Sequence, residues 1–371
     1  LANKFNKPPH TDAKHRILEL YLKRWFPILS HRGQGLAYID GFAGPGIYSR
    51  GEPGSPIIAL EVANKYSGRG DFSARLWFIE PKLKHHKSLM EQIRRVRLKK
   101  GVLVEGTPRS TFEMAFPEII AHLRKGGNMP PTFAFVDPDG YSDVTMRTLT
   151  DFLKLEHCEF LFTFMENPLK RFINLKGEAR KKKLDGLFGT HKWHGALELR
   201  GAERTRFFLD LYMKQLRLNG VRYTQAFEMR DKHENTIYHL IFATNIKYGL
   251  EVMKEEMVKV DPKFTFSVSD VMVPGQTFIL NSTKKDWYGW AADLIFQRYY
   301  GKRDVPLAEI KCFVTTGTPY VYRPGIINHM KRADLITNMV KYNPKERMDD
   351  ALKRKVTFAK SRPTKTLLDF G

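Results

Sequence analysis

Five short, almost unbroken apolar runs recur along the first half of the chain, and segments of helical spacing stand between the first four of them. The runs are Leu36–Asp40, Arg75–Glu80, Gly101–Glu105, Thr132–Asp137 and Glu159–Phe164. A strand covered on both faces must be apolar at every position, not at alternate ones, so these runs read as strands of a buried parallel sheet. Ser55-Pro56, a good cap and first helical residue, opens a helical segment over Ile57–Lys65, and Lys84–Arg97 and Ser110–Lys125 supply two more. Strand and helix in alternation predict an α/β fold: a doubly wound, Rossmann-like sheet with helices on both faces.

Three further regions surround this pattern. Residues 1–35 read as a polar, proline-bearing arm and one helix, with Thr11-Asp12 as its cap. Ile17, Leu18, Tyr21, Leu22 and Trp25 fall on one face, and Pro27 and Gly33-Gln34-Gly35 close the segment. Residues 36–262 form the expected Rossmann domain, with a basic helical insertion at 169–220. Within that domain Tyr223–Arg230 and Ile237–Thr244 are strands joined by the short loop 231–236, and Gly249–Val260 is a helix. A parallel sheet that ends in an antiparallel hairpin is the strand pattern of class I methyltransferases, whereas a plain dinucleotide-binding sheet stays parallel. Residues 263–371 change in character. Helices are expected over Asp286–Tyr300, Val305–Val314 and Pro324–Met339, followed by a charged tail from Lys341. Three short helices before a basic, strand-prone segment suggest a winged-helix-like module.

Charge narrows the partner. The chain carries 62 Lys and Arg against 40 Asp and Glu, a net charge of +22. Such a surplus favours a polyanion, because each neutralised phosphate releases condensed counterions; the plain alternative is a solvated basic surface. A hydrophobic fraction of 42% suits a globular core. No apolar run reaches the ~20 residues of a membrane helix, and the first residues lack the apolar stretch of a signal peptide. A cytoplasmic protein without a membrane partner is expected. Cys158 and Cys312 lie far apart in sequence, which fits a reducing compartment.

The densest chemistry follows the first strand, in Asp40-Gly41-Phe42-Ala43-Gly44-Pro45-Gly46. Glycines at a strand's C-terminal end let backbone approach a ligand without a Cβ, and the crevice beyond the strand ends is where open α/β sheets bind. Glu80-Pro81 ends the second strand, where a carboxylate can accept both hydroxyls of a ribose. Glu105-Gly106-Thr107 ends the third, where backbone can border an adenine. Glu80 lies too far past the glycines for an NAD site, and no Gly-Lys-Ser/Thr exists for a P-loop. S-adenosyl-L-methionine is therefore the preferred cofactor. Asp40, Gly41, Phe42, Ala43, Gly44 and Gly46 are the candidates for its methionine part, Glu80 and Pro81 for its ribose, and Gly106 and Thr107 for its adenine.

On the substrate side, Asp137-Pro138-Asp139-Gly140-Tyr141 resembles the Asp-Pro-Pro-Tyr motif of amino-methyltransferases, with Asp139 and Gly140 interrupting it. Asp137 and Tyr141 are candidates to face the substrate, a turn-forming Asp-Pro being the alternative for Asp137. Asn167, in Glu166-Asn167-Pro168, is a third candidate, its alternative an Asx turn ending the fifth strand. For nucleic acid the candidates are Lys181, Lys182, Lys183, Lys192, Trp193, Lys331, Arg332, Lys353, Arg354 and Lys355, with Tyr320, Tyr322 and Arg362 nearby. Their alternative is solvated helix faces and core aromatics. The histidines lack metal-ligand spacing, so no metal is expected, and Gly54-Ser55-Pro56 is not a nucleophile elbow.

Several of these segments together resemble the three-Cys-motif partner proteins. The resemblance runs through Lys14-His15-Arg16-Ile17-Leu18 with Tyr21-Leu22 and Trp25, Tyr38-Ile39 leading into the glycine turn, and Gly54-Ser55-Pro56. Phe78-Ile79-Glu80, Phe135-Val136-Asp137-Pro138, Leu187-Phe188-Gly189-Thr190 with Trp193, and Met253-Lys254 before Met257–Asp261 continue it. It covers most of residues 11–262. It implies a methyltransferase-like fold and an associated protein of radical-adenosylmethionine type that bears three cysteines. This chain has two, so in that pairing it is the partner.

Three functions follow as expectations. The first is a methyltransferase acting on DNA or RNA. The second is a nucleic-acid-binding subunit for a three-Cys-motif protein, with a vestigial or structural cofactor pocket. The third is a small-molecule methyltransferase.

Overall fold

The computed structural model describes residues 7–31, 35–125, 127–140, 144–166, 169, 177–261, 267–269, 286–318, 320–339 and 355–360. They fall into two compact units, one holding the described residues up to Val260 with Ser267–Ser269, the other Asp261 and those from Asp286 onward.

The first unit is an α/β sheet of eight strands in the order β3-β2-β1-β4-β5-β7-β6-β8. The strands are β1 Leu36–Asp40, β2 Ala74–Phe78, β3 Val102–Gly106, β4 Thr132–Val136, β5 Cys158–Phe164, β6 Tyr223–Arg230, β7 Thr236–Thr244 and β8 Ser267–Ser269. β1 to β5 are mutually parallel, while β7 runs antiparallel to both β5 and β6. β1, β4 and β5 are buried at every residue, as their unbroken apolar sequences require. β3, at the sheet edge, alternates between buried and exposed.

Helices cover both faces. They are α1 Pro9–Ser30, α2 Ser55–Tyr66, α3 Leu83–Arg95, α4 Phe112–Arg124, α5 Met146–Leu153, α6 Glu178–Phe188, α7 Gly201–Leu218 and α8 Lys247–Val260. On one face Tyr21 of α1 meets Phe133 of β4 and Phe242 of β7. On the other, Ala134, Phe160 and Phe162 join one core with Phe116 of α4, Phe152 of α5 and Tyr212 of α7. Successive strand residues point to opposite faces, so one strand feeds both layers. Of the 169–220 segment, 178–188, 191–197 and 201–218 are helical, and 170–176 lie outside the described residues. Leu187, Phe188 and Phe208 bury into the sheet's own core, so the segment forms a layer of the unit.

Three local expectations are corrected. α1 starts at Pro9 with Pro8 as its cap residue, so Thr11-Asp12 lies within the helix and does not cap it. α1 does not close at Pro27 but continues to Ser30. A proline lacks the N–H that would bond the carbonyl four residues earlier, here that of Lys23, and the Tyr66 hydroxyl donates to that carbonyl at 2.6 Å instead. Ser55 does not cap α2: its cap residue is Gly54, and the Ser55 hydroxyl bonds Asp40.

The second unit contains α9 Asp286–Tyr299, β9 Val305–Pro306, α10 Leu307–Gly317, α11 Pro324–Arg332, β10 Ile336–Met339 and β11 Lys355–Phe358. Its three strands pair antiparallel in the order β10-β11-β9. Ile336–Met339, read above as the end of a helix, is a strand. Asp334 takes a left-handed φ of 54° and ends the helical path. Trp287, Ala291, Ile295, Ile310, Val314, Ile326, Ile327 and Met330 share this unit's own core. Cys158 and Cys312 are free thiols. Among the described residues no helix is long and apolar enough to cross a membrane.

Candidate functional site

β1 lies between β2 and β4, so the chain winds to one side of it and then to the other. The crevice outside such a switch point is where sheets of this kind hold ligands. The glycine turn starts there. Gly44 and Gly46 have φ of +62° and +79°, a region costly to residues with a side chain. A Cβ on Gly44 would meet nothing within 4 Å, so this part of the turn faces open space. Gly41 has a different reason to be glycine: a Cβ there would lie 2.7 Å from the Phe112 ring.

Asp40, a candidate ligand contact, has no exposed surface. Its Oδ1 accepts the Phe42 amide at 3.2 Å, and the Ser55 and Tyr38 hydroxyls also bond it. Burial pushes its carboxyl up to about 7, against the pull of those hydrogen bonds. Asp40 thus supports the turn from beneath and does not face a ligand. Gly41, filled over by Phe112, is likewise a packing residue.

After the turn, residues 46–54 form a small hairpin arm. Ile47 bridges to Pro53, and the Gly54 amide donates to the Gly46 carbonyl at 2.9 Å. The arm carries Tyr48, whose ring stands 5.7 Å from that of His15 on α1. Burial raises the Tyr48 hydroxyl, and the carboxylates of Asp137, Asp40, Asp139 and Glu52 raise it further. His15 is held well below its usual range by burial and by Lys14 and Lys7, and so stays neutral.

Glu80 sits at the end of β2, 5% exposed. Its Oε1 accepts the Lys82 amide at 2.7 Å. The His86 ring bonds the Thr107 carbonyl at 2.8 Å, tying α3 to the end of β3. The Thr107 hydroxyl donates to the Met90 sulfur at 3.1 Å. Lys82 Nζ meets Asp139 Oδ2 at 2.7 Å, linking the loops after β2 and β4 that flank β1.

Asp137 ends β4 in an ion pair with Lys14 Nζ at 2.5 Å. Lys14 also lies 5.1 Å from the centre of the Tyr238 ring, and Tyr238 donates its hydroxyl to the His10 carbonyl. Beyond β5, the buried Glu166 bonds Nδ1 of His239 on β7. Lys14, Tyr48, Tyr238 and His239 are not among the site candidates read from the sequence. Lys14, Tyr238 and His239 reach the strand ends from elements remote in sequence, while Tyr48 comes from the arm just after the glycine turn.

Tyr141, Asn167, Lys353, Arg354 and Arg362 lie outside the described residues. Lys182, Lys192, Lys331, Arg332 and Lys355 are exposed. Lys181 is also exposed and pairs with Glu178 at 2.8 Å. Trp193 does not fit a base-stacking role. Its ring is 2% exposed, in the core, and its Nε1 donates to Asp185 at 2.8 Å.

No family model matches the chain, and no curated protein matches it. Among solved structures, protein LPL1258 from Legionella pneumophila, of family DUF519, is similar at 12% identity and a TM-score of 0.41. The match covers 72% of this chain and 94% of that one. So distant a likeness fixes neither ligand nor activity.

Proposed function

We propose that the chain is an S-adenosyl-L-methionine-dependent methyltransferase whose substrate is nucleic acid. The observation that carries this reading is the sheet itself. Its order places β7 antiparallel between β5 and β6, with the glycine turn at the switch point of the parallel half. The residues present fit the cofactor. The open side of Gly44 leaves room for its methionine part along the Gly44–Gly46 backbone. Glu80 has Oε1 fixed by an amide, and its carboxylate would accept the ribose hydroxyls. Gly106 and Thr107 would border the adenine. When bound, the cofactor supplies an electrophilic methyl group on a sulfonium. The protein's part is to position and to exclude water. Asp137, Lys14, Tyr238 and His239 would line the substrate side.

The second unit supports the nucleic-acid part of the reading. Helix, short strand, two helices and two antiparallel strands is the order of a winged-helix-like module. The +22 charge agrees with a polyanion.

One observation favours a second reading, a binding subunit working with a three-Cys-motif protein. The Asp137 carboxylate is already neutralised by Lys14, and a carboxylate so engaged is a poorer acceptor for a substrate amine.

Calorimetric titration of the whole chain with S-adenosylmethionine and S-adenosylhomocysteine tests the first reading. Micromolar binding is expected, and E80A should weaken it ~10-fold or more, the loss of charge-assisted hydrogen bonds. Folded protein that binds neither compound would remove the cofactor. Unchanged affinity in E80A would remove the ribose assignment.

A further inference from the structure

α11 carries a polar strip in the second unit. Ile326, Ile327 and Met330 turn into the second unit's core. Pro324, Asn328, Lys331 and Arg332 are exposed. At about 100° per residue, these four follow one another around a single strip of the helix. Its nine residues, Pro-Gly-Ile-Ile-Asn-His-Met-Lys-Arg, include no acid. Gly325 sets the helix close against α9, since a Cβ there would lie 2.4 Å from the Tyr288 ring. Ile326, Ile327 and Met330 hold the helix from behind, α9 flanks it on the Gly325 side, and the polar strip is what it presents. α10 ends at Gly317, and the Thr318 hydroxyl after it bonds back to the Val314 carbonyl at 2.8 Å.

We infer that α10 and α11 are a helix-turn-helix and that α11 enters the major groove of duplex DNA. This rests on the reading that nucleic acid is the partner, and it narrows that partner to one form. The major groove of B-form DNA is about 12 Å wide and admits a helix. That of duplex RNA is deep and too narrow for side chains to read. The residue types suit base edges: asparagine pairs with adenine, and arginine or lysine with guanine. Asn328, in the middle of the strip, faces bases. Lys331 and Arg332, at its end, reach guanine edges or the adjoining phosphates. Lys355, exposed at the start of β11, adds a further cation to the same unit.

The test is fluorescence anisotropy of the whole chain with labelled random-sequence duplex DNA and duplex RNA of equal length, across a salt series. Duplex DNA should bind at least ~10-fold more tightly than RNA. K331A/R332A should lower DNA affinity at least ~10-fold and reduce the log–log salt slope by about two, one per phosphate-range cation removed. Both side chains are exposed, so the variant should melt like the wild type. K99A/K100A removes the same charge from the exposed segment before β3 and should change affinity less than about twofold, the salt-dependent background of a basic surface. Full affinity in K331A/R332A, equal losses from both double variants, or equal binding of RNA would overturn the assignment of α11. Those results would leave the methyltransferase reading standing. Loss of cofactor binding with duplex binding intact would do the reverse. Wild-type protein that binds neither duplex would remove α11 and nucleic acid together.

Discussion

Asp40 makes stability depend on pH in a direction opposite to that of most carboxylates. Its carboxyl is raised from 3.8 to about 7 by complete burial beneath the glycine turn. Between those values the folded chain keeps a proton that the unfolded chain has lost. Folding is therefore favoured by low pH, and the contribution is lost as pH rises through 7. A shift of about 3 pH units corresponds to about 4 kcal/mol in full. Roughly 3 kcal/mol of that falls between pH 5 and pH 9. In D40N the side chain stays neutral, with an oxygen still able to accept the Phe42 amide, so this loss should vanish. Urea unfolding of both proteins at pH 5, 7 and 9 measures it. Whatever their offset at pH 5, D40N should gain about 3 kcal/mol on the wild type by pH 9. Parallel profiles would refute the view that Asp40 is a buried acid supporting the turn.

Two further outcomes are expected from the ties of α1. K14M leaves Asp137 without its cation and should destabilise by about 2–4 kcal/mol, somewhat under the cost of breaking a fully buried pair, because Asp137 keeps 22% of its side chain exposed. K14M/D137N should regain most of this in the same unfolding assay, and no recovery would show that the pairing is not what holds the two. Y66F should cost about 1 kcal/mol in the wild type and almost nothing in a P27A background, where the backbone amide restored by the substitution can take the Lys23 carbonyl. Equal costs in both backgrounds would show that the carbonyl does not link the two residues.

The sheet was legible because its central strands are buried on both faces and so carry unbroken apolar runs; β1, β4 and β5 are the clearest. Local pattern misleads where one residue obeys a distant partner. Pro27 signals a helix end, but Tyr66 satisfies the carbonyl it orphans. Ser55 has the form of a cap, yet Asp40 claims its hydroxyl. Pro324 to Met339 has apolar residues at helical spacing throughout, and only the turn at Asp334 and pairing with β11 make its end a strand. The site divides in the same way. Glu80, Asp137 and the glycine turn sit at strand ends and could be found by counting from the strands. Lys14 meets Asp137 across 123 positions and His239 meets Glu166 across 73, separations that no local pattern encodes.

Part of what buries α1 comes late in the chain. Tyr21 packs on Phe133 and Phe242, and Tyr21 and Trp25 both donate to Glu159. During synthesis the part of its face that packs on Phe242 must wait for more than 200 further residues before β7 emerges. Contacts of such long range close slowly, and apolar surface left uncovered in the interval invites association with other chains. Part of the hazard of misassembly for this protein therefore lies on α1 at the ribosome. A chain halted before β7 would leave the Phe242 side of Tyr21 uncovered.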